Sequence, residues 1–362
     1  MELKTFIKQY FGENYYLLTE IEKINAFYNL IWSGKNAGKS FAVKKRALEQ
    51  VYKKNRKFCL IFRFERGKKT KKTKEDYFKD SALNIKEITK GEYTHIFFKG
   101  DLYYFGNYDE KKKQIFGPCI GHIAYIDRYD DYSSQVFEGV YEIIIEEFMT
   151  SDGYLYDEVY KLEIMLNSIL RDRASKARVW MLANPKSRIC PYITEWNLPF
   201  MKTMNPGEII TVERNGKLIA VERVKDIQRK DKGTTAISRK GRQIESGEWE
   251  SGHIPLLPHW QNYDEVYNFV FIYKGVAFQI HCLTDDMDLF LYIHSKTREI
   301  KKDERVIGDI DSTSILYSKG FTPLNEAEAR IFNLLKTNKI FFSNELTGAD
   351  FYNSLETMRR EF

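Results

Sequence analysis

Cysteine is scarce. The 362-residue chain has four, Cys59, Cys119, Cys190 and Cys282, and no two of them make a Cys-x-x-Cys pair. That spacing suggests neither a zinc site nor a disulfide framework, and it suits a reducing cytoplasm. Long apolar runs are lacking too. None approaches the roughly 18 residues that span a bilayer, and the amino terminus has no signal-peptide pattern, so neither secretion nor membrane embedding is expected. Neither sign of charge dominates: 57 Lys and Arg stand against 51 Asp and Glu, for a formal +6 and a pI near 8.8. So mild a total leaves the placing of the charges more informative than their sum. There are no sequence repeats.

What is present describes a globular protein. Hydrophobic residues are 43% and charged residues 30%, an ordinary balance for a folded chain, and the length allows two domains with separate cores. Basic residues concentrate in two runs, "RGKKTKKTK" at 66–74 and "KDIQRKDKGTTAISRKGR" at 225–242. Each could follow a nucleic-acid backbone, because clustered Lys and Arg release counterions as they neutralise phosphates. Each reads equally well as a solvated loop.

Hydrophobic patterning divides the chain near residue 205. Before it, β-rich runs at 27–32, 58–63, 95–98, 102–105, 122–126, 141–146 and 178–182 alternate with helical patterns at 40–52 and 157–171. Val159, Leu162, Met165, Leu166, Ile169 and Leu170 share one face of the second helix. Such alternation predicts a mainly parallel α/β sheet. Pro185, Pro191, Pro199 and Pro206 close the domain, giving 1–205. Next comes "EIITVERNGKLIAVERV", a hairpin with Asn215-Gly216 at its turn, and the basic run. Together they are expected to form a linker over 206–255. The remainder, 256–362, reads as three antiparallel strands followed by helix, strand and helix, which suits an RNase H-like layer.

The chemistry is concentrated in "NLIWSGKNAGKS" at 29–40. A P-loop reads Gly-x-x-x-x-Gly-Lys-Ser/Thr between a strand and a helix. Ser33 stands at the first Gly position, Gly34, Lys35, Asn36 and Ala37 fill the turn, and Gly38, Lys39 and Ser40 match. Gly38 lets backbone N–H groups approach phosphates at the positive end of the following helix. Lys39 is expected to reach the β- and γ-phosphates, and the Ser40 hydroxyl to ligate magnesium. The plain alternative is a glycine-rich turn that happens to contain Lys-Ser.

A P-loop needs a strand bearing acids, and "YEIIIEEF" at 141–148 ends in Glu146-Glu147. Glu146 is the candidate for the magnesium shell, although Asp is usual there. Glu147 is the candidate to polarise a water. Asn184, ending the next β-rich run, could sense a γ-phosphate or simply form a turn before Pro185. Arg171 and Arg173 could suit a helix dipole or serve as an arginine finger towards a neighbouring subunit.

These residues carry a family resemblance. "SGKNAGKS", "IIIEEF", the Arg-x-Arg of "ILRDR" and "MLAN" followed by "PYI" occur in the same order and at similar spacing as in the DNA-encapsidation ATPases of small podoviruses. The chain resembles such a packaging motor subunit, most clearly over about 28–200. The resemblance implies a P-loop NTPase of the additional-strand, ring-forming type with a smaller carboxyl-terminal RNase H-like domain whose nuclease site is lost. It implies ATP and Mg2+ as cofactors, with Gly34, Lys35, Gly38, Lys39 and Ser40 holding ATP and Glu146 and Glu147 serving magnesium and water. Arg171 would be the trans-acting finger, and Arg66 matches a basic position that acts on a neighbour's nucleotide. The implied partners are double-stranded DNA, the portal of an empty capsid and other copies of the chain in a ring, typically a pentamer, with a structural packaging RNA as an optional docking element. The implied location is the host cytoplasm, transiently at the portal, and not the mature virion.

Three other readings compete. A large terminase would have a working nuclease domain, but the run 268–273 holds no Asp or Glu, and Asp285, Asp286 and Asp288 fall towards a turn. A non-enzymatic DNA-binding protein with a decayed P-loop would fit Ser33 and Glu146. A small-molecule kinase would leave the second domain and the basic runs without a role.

Overall fold

The computed structural model describes residues 4–6, 11–12, 15–34, 37–65, 71–79, 83–150, 154–185, 190–225, 254–285, 288–308, 314–336 and 339–361. Lys35, Asn36, Arg66, Lys68, Lys69 and nearly all of the basic run 225–242 lie outside them.

Among the described residues, the first sheet has ten strands. From one edge they are Lys4–Phe6, Ile209–Arg214, Lys217–Arg223, Tyr28–Trp32, Arg178–Ala183, Val140–Glu146, Lys57–Phe62, Gln114–Tyr125, Leu102–Tyr108 and His95–Lys99. From Lys217–Arg223 to Gln114–Tyr125 neighbouring strands run parallel, and both flanks are antiparallel. The parallel α/β expectation therefore describes the centre of the sheet.

Period-two alternation explains why the central strands are apolar throughout: each face has its own helix to meet. Leu30, Trp32, Ile61, Ile143, Ile145, Val179 and Met181 share a core with Leu162, Met165 and Ile169 of the helix Glu158–Leu170. Ile31, Leu60, Ile144, Trp180 and Leu182 share another with Val43, Ala47 and Leu48 of the helix Lys39–Lys54.

The hairpin over 209–223 corrects the expected linker. Its turn is as expected, with Asn215 and Gly216 at φ +47° and +71°, left-handed values that this residue pair tolerates. Its second strand, however, runs parallel to Tyr28–Trp32, pairing Ile219 with Tyr28 and Arg223 with Trp32. Val212, Ile219 and Val221 are buried in the first core. The hairpin thus completes the first sheet. Turn chemistry revealed the hairpin, but its partner strand lies far back in the chain.

The second sheet has six strands, in the order Tyr317–Lys319, Val306–Gly308, Asp264–Tyr273, Val276–Thr284, Leu289–Ser295 and Ile340–Phe342. The three longest are antiparallel, and the short strands run parallel to their neighbours. Phe269, Phe271, Ile280 and Ile293 form a separate core with Ile331 and Phe332 of the helix Glu326–Leu334 and Phe351 and Leu355 of the helix Glu345–Glu361. The expected antiparallel strands, helices and final strand are all present. The two short strands at 306–308 and 317–319 were not foreseen. The first strand also begins earlier than expected, at Asp264, and so includes Asp264 and Glu265. Among the described residues no helix is long and apolar enough to cross a membrane.

Candidate functional site

The strand Tyr28–Trp32 delivers the chain to the carboxyl edge of the sheet, where Ser33 N–H bonds to the Ala183 carbonyl at 3.3 Å. Ser33 is buried and lacks a left-handed φ, so a side chain is admissible where the motif has glycine. Gly38 does need to be glycine. It sits at φ +91° as the residue before the helix Lys39–Lys54, a left-handed value that favours a residue without a side chain. The positive end of a 16-residue helix is thus placed at the loop.

Lys39 turns back over this loop. Its ammonium donates to the Ser33 hydroxyl at 2.8 Å, the Gly34 carbonyl at 3.1 Å, the Ser33 carbonyl at 3.3 Å and the Asn184 side-chain oxygen at 3.2 Å. The loop and the end of the strand Arg178–Ala183 therefore meet at one cation. Ser40 donates to Glu146 at 3.1 Å, joining the helix start to the end of the acid strand Val140–Glu146. The other Glu146 oxygen accepts from Tyr77 at 2.7 Å. Burial first, then the Glu146 charge, push the Tyr77 phenol well above its usual pKa, so it stays a donor. No motif in the sequence marks Tyr77. It follows the helix Lys71–Glu75 and reaches the site only through the fold.

Glu147 leaves the strand with φ +59°, unusual for a residue with a side chain and worth roughly 1 kcal/mol or more of strain. The Phe148 N–H to Leu182 carbonyl bond holds the turn from one side. Arg63 holds it from the other, donating to the Glu147 and Phe148 carbonyls at 3.4 Å. Arg63 is anchored by Glu158 at 2.7 Å, a pair with side-chain exposures of 13% and 0%. Burial opposes the Arg63 charge, but the carboxylate outweighs it and the guanidinium pKa is raised. The sequence shows Arg63 only as the end of a β-rich run.

The arginines after the helix Glu158–Leu170 lie elsewhere. Arg173 donates to the carbonyls of Val140, Phe137 and Ile169, and Arg171 donates to the Gln135 carbonyl at 3.0 Å. Arg173 therefore sits at the amino-terminal end of the acid strand, about 20 Å along it from Glu146 at 3.3 Å per residue, and Arg171 meets the segment that precedes that end. Arg173 is committed to the fold and makes a poor finger. Arg171 is exposed. Lys74, counted in the basic run, lies 3.8 Å from Asp101 and donates to Tyr125, so it is held by the protein itself.

In the second sheet Glu265 bonds His281. Among the described residues no group of three or more His, Cys, Asp or Glu is placed to hold a metal ion.

The first-sheet site thus combines the amino-terminal end of a helix, a lysine that bridges loop and neighbouring strand, and a hydroxyl-carboxylate pair. These are the groups that bind a polyphosphate with a divalent cation.

No family model matches the sequence, and no curated protein does. Solved structures do. The bacteriophage Phi-29 viral genome packaging motor assembly is 16% identical, with 96% of this chain and 100% of that chain covered and a TM-score of 0.54. The Phi-28 gp11 DNA packaging motor is 14% identical over 96% of this chain and 99% of that one, with a TM-score of 0.48. The N-terminal domain of the DNA packaging ATPase from bacteriophage phi29 is 20% identical over 59% of this chain and 98% of that one, with a TM-score of 0.46. Across 96% of its length, the chain therefore shares the fold of the Phi-29 packaging motor.

Proposed function

We propose that this chain is an ATP-hydrolysing subunit of a viral DNA-packaging motor, acting in a homomeric ring of the pentameric type at a capsid portal to drive double-stranded DNA inside. The observation that carries this reading is the meeting of Lys39, Ser40, Glu146 and Asn184 at the carboxyl ends of adjacent parallel strands. The strand Arg178–Ala183 between the P-loop strand and the acid strand supports the additional-strand type of P-loop NTPase. In the second sheet, Val306–Gly308 runs parallel to the first of three antiparallel strands, which supports an RNase H-like layer.

The residues fit ATP with magnesium. Gly34, Ala37 and Gly38, with the helix start, cradle phosphates; Lys35 and Asn36 belong to the same loop by sequence. Lys39 exchanges its contacts with Ser33 and Asn184 for phosphate oxygens. Ser40 and Glu146 would hold magnesium, which neutralises charge on the phosphates. Glu147, exposed on its strained turn, takes a proton from water. Asn184 follows the Lys39 position and so the presence of the terminal phosphate. Arg66 remains a candidate for action on a neighbour's nucleotide by motif alone.

The test is ATP hydrolysis by the purified protein with and without duplex DNA. Stimulation by DNA, abolished in Lys39→Ala, is expected, because the phosphates lose their main protein counterion. Hydrolysis that persists in Lys39→Ala, or none at all in the wild type, would overturn the reading.

A further inference from the structure

His281 and His294 stand on adjacent strands of the second sheet, away from the proposed nucleotide site. His281 Nδ1 faces the Glu265 carboxylate, and His294 Nδ1 faces the Ser295 carbonyl at 2.9 Å. Both partners accept hydrogen bonds, so each Nδ1 carries a hydrogen. The Nε2 atoms of the two rings face each other 3.1 Å apart, and each offers a lone pair wherever its ring carries a single N–H. Two imidazole nitrogens turned to one space can hold a cation together.

We infer that His281 and His294 form a binding site for a divalent transition-metal ion. At Zn–N distances of about 2.05 Å, nitrogens 3.1 Å apart subtend about 98° at the ion, within the range of neighbouring ligand positions. The outer contacts match as well. Metal-bound histidines characteristically donate their second N–H to a carboxylate or a backbone carbonyl, which fixes the tautomer and orients the ring, and here one histidine does each. The pair opens on a cleft of about 440 Å³ lined also by Asn268, Gln279 and Lys296, with room for solvent to complete the shell. Because no third His, Cys, Asp or Glu joins them among the described residues, two imidazoles are the protein's contribution, and affinity should follow imidazole preference, with Cu2+ above Ni2+ and Zn2+. The Trp260 ring stacks on His281 with centroids 4.6 Å apart, so the ion would also secure that segment against the sheet. The site goes beyond motor function and does not rest on it.

The experiment is titration of the metal-stripped full-length chain with Zn2+ and Ni2+, followed by calorimetry and by quenching of Trp260 fluorescence with Ni2+. Saturable binding of a single ion with quenching is expected. His281→Gln and His294→Gln should each weaken binding on the order of 10-fold or more, and Glu265→Gln, which keeps both ligands, on the order of 10-fold. His259→Gln, on a neighbouring exposed histidine, should leave it unchanged. Should His281→Gln fail to fold, His294→Gln reads the same loss. Absence of binding in the wild type, with the two rings sharing a proton instead, would overturn the inference. So would binding that survives in both histidine variants.

Discussion

Glu146 receives one hydrogen bond from the helix Lys39–Lys54 and one from outside every motif. Ser40 and Tyr77 take opposite oxygens of the same carboxylate, so the phenol sets the plane in which the acid meets the hydroxyl. If that acid and Ser40 hold magnesium, Tyr77 is a positioning residue. Tyr77→Phe keeps the ring, which lies under the Lys44 ammonium at 4.0 Å, and removes the donor alone. Loss of such an outer partner typically costs at least about 10-fold in metal affinity or activity. The magnesium concentration for half-maximal hydrolysis should rise by that order, with ATP affinity at saturating magnesium little changed. An unmoved magnesium dependence would make Tyr77 a packing residue.

At the scale of elements, the acid strand depends on a buried ion pair it does not contain. Arg63 at the end of Lys57–Phe62 and Glu158 at the start of the next helix clamp the turn through Glu147. Glu158 also accepts from Tyr192 at 2.8 Å and from the Leu155 N–H at 3.0 Å. Glu158→Gln strands the Arg63 charge in a buried position and offers a donor where three donors already point. A loss of about 3 kcal/mol is expected, read as a lower urea midpoint at unchanged m. Turnover should fall as the strained turn loosens. An unchanged midpoint would show that the pair contributes nothing net to stability.

For the molecule as a whole, Arg171 bonds the segment before the acid strand, at the end opposite Glu146, which makes action within one subunit geometrically remote. Under the ring reading, Arg171 faces the neighbour's nucleotide and offsets charge that develops only in the transition state. Arg171→Ala should therefore lower turnover by roughly 10³-fold while leaving ATP affinity nearly intact. Mixing is the sharper measurement. Arg171→Ala subunits keep Glu147, and Glu147→Gln subunits keep the arginine; each is inactive alone. Some interfaces of a mixed ring would pair a working Glu147 with a working Arg171, and part of the ATPase activity should return. Mixed rings that form yet stay inactive would assign Arg171 to its own subunit or to the fold.

Local backbone conformation was legible wherever a motif is contiguous. Gly38-Lys39-Ser40 needs only a strand before it and a helix after it, Asn215-Gly216 needs only its own turn, and the face shared by Leu162, Met165 and Ile169 follows from helical periodicity. Nonlocal placements were not legible. Which strand the 209–223 hairpin joins, which phenol meets Glu146 and which end of the sheet holds Arg171 all depend on contacts between residues far apart in the chain. The same holds for His281 and His294. They lie only 13 residues apart, but strand register, pairing His281 with Tyr292 and Gln279 with His294, brings the two imidazoles to one face. A short-range pattern encodes backbone conformation and burial, because those depend on neighbours in the chain. Register and strand order are set by how the whole sheet buries its two faces, and that balance exists only once the chain has folded.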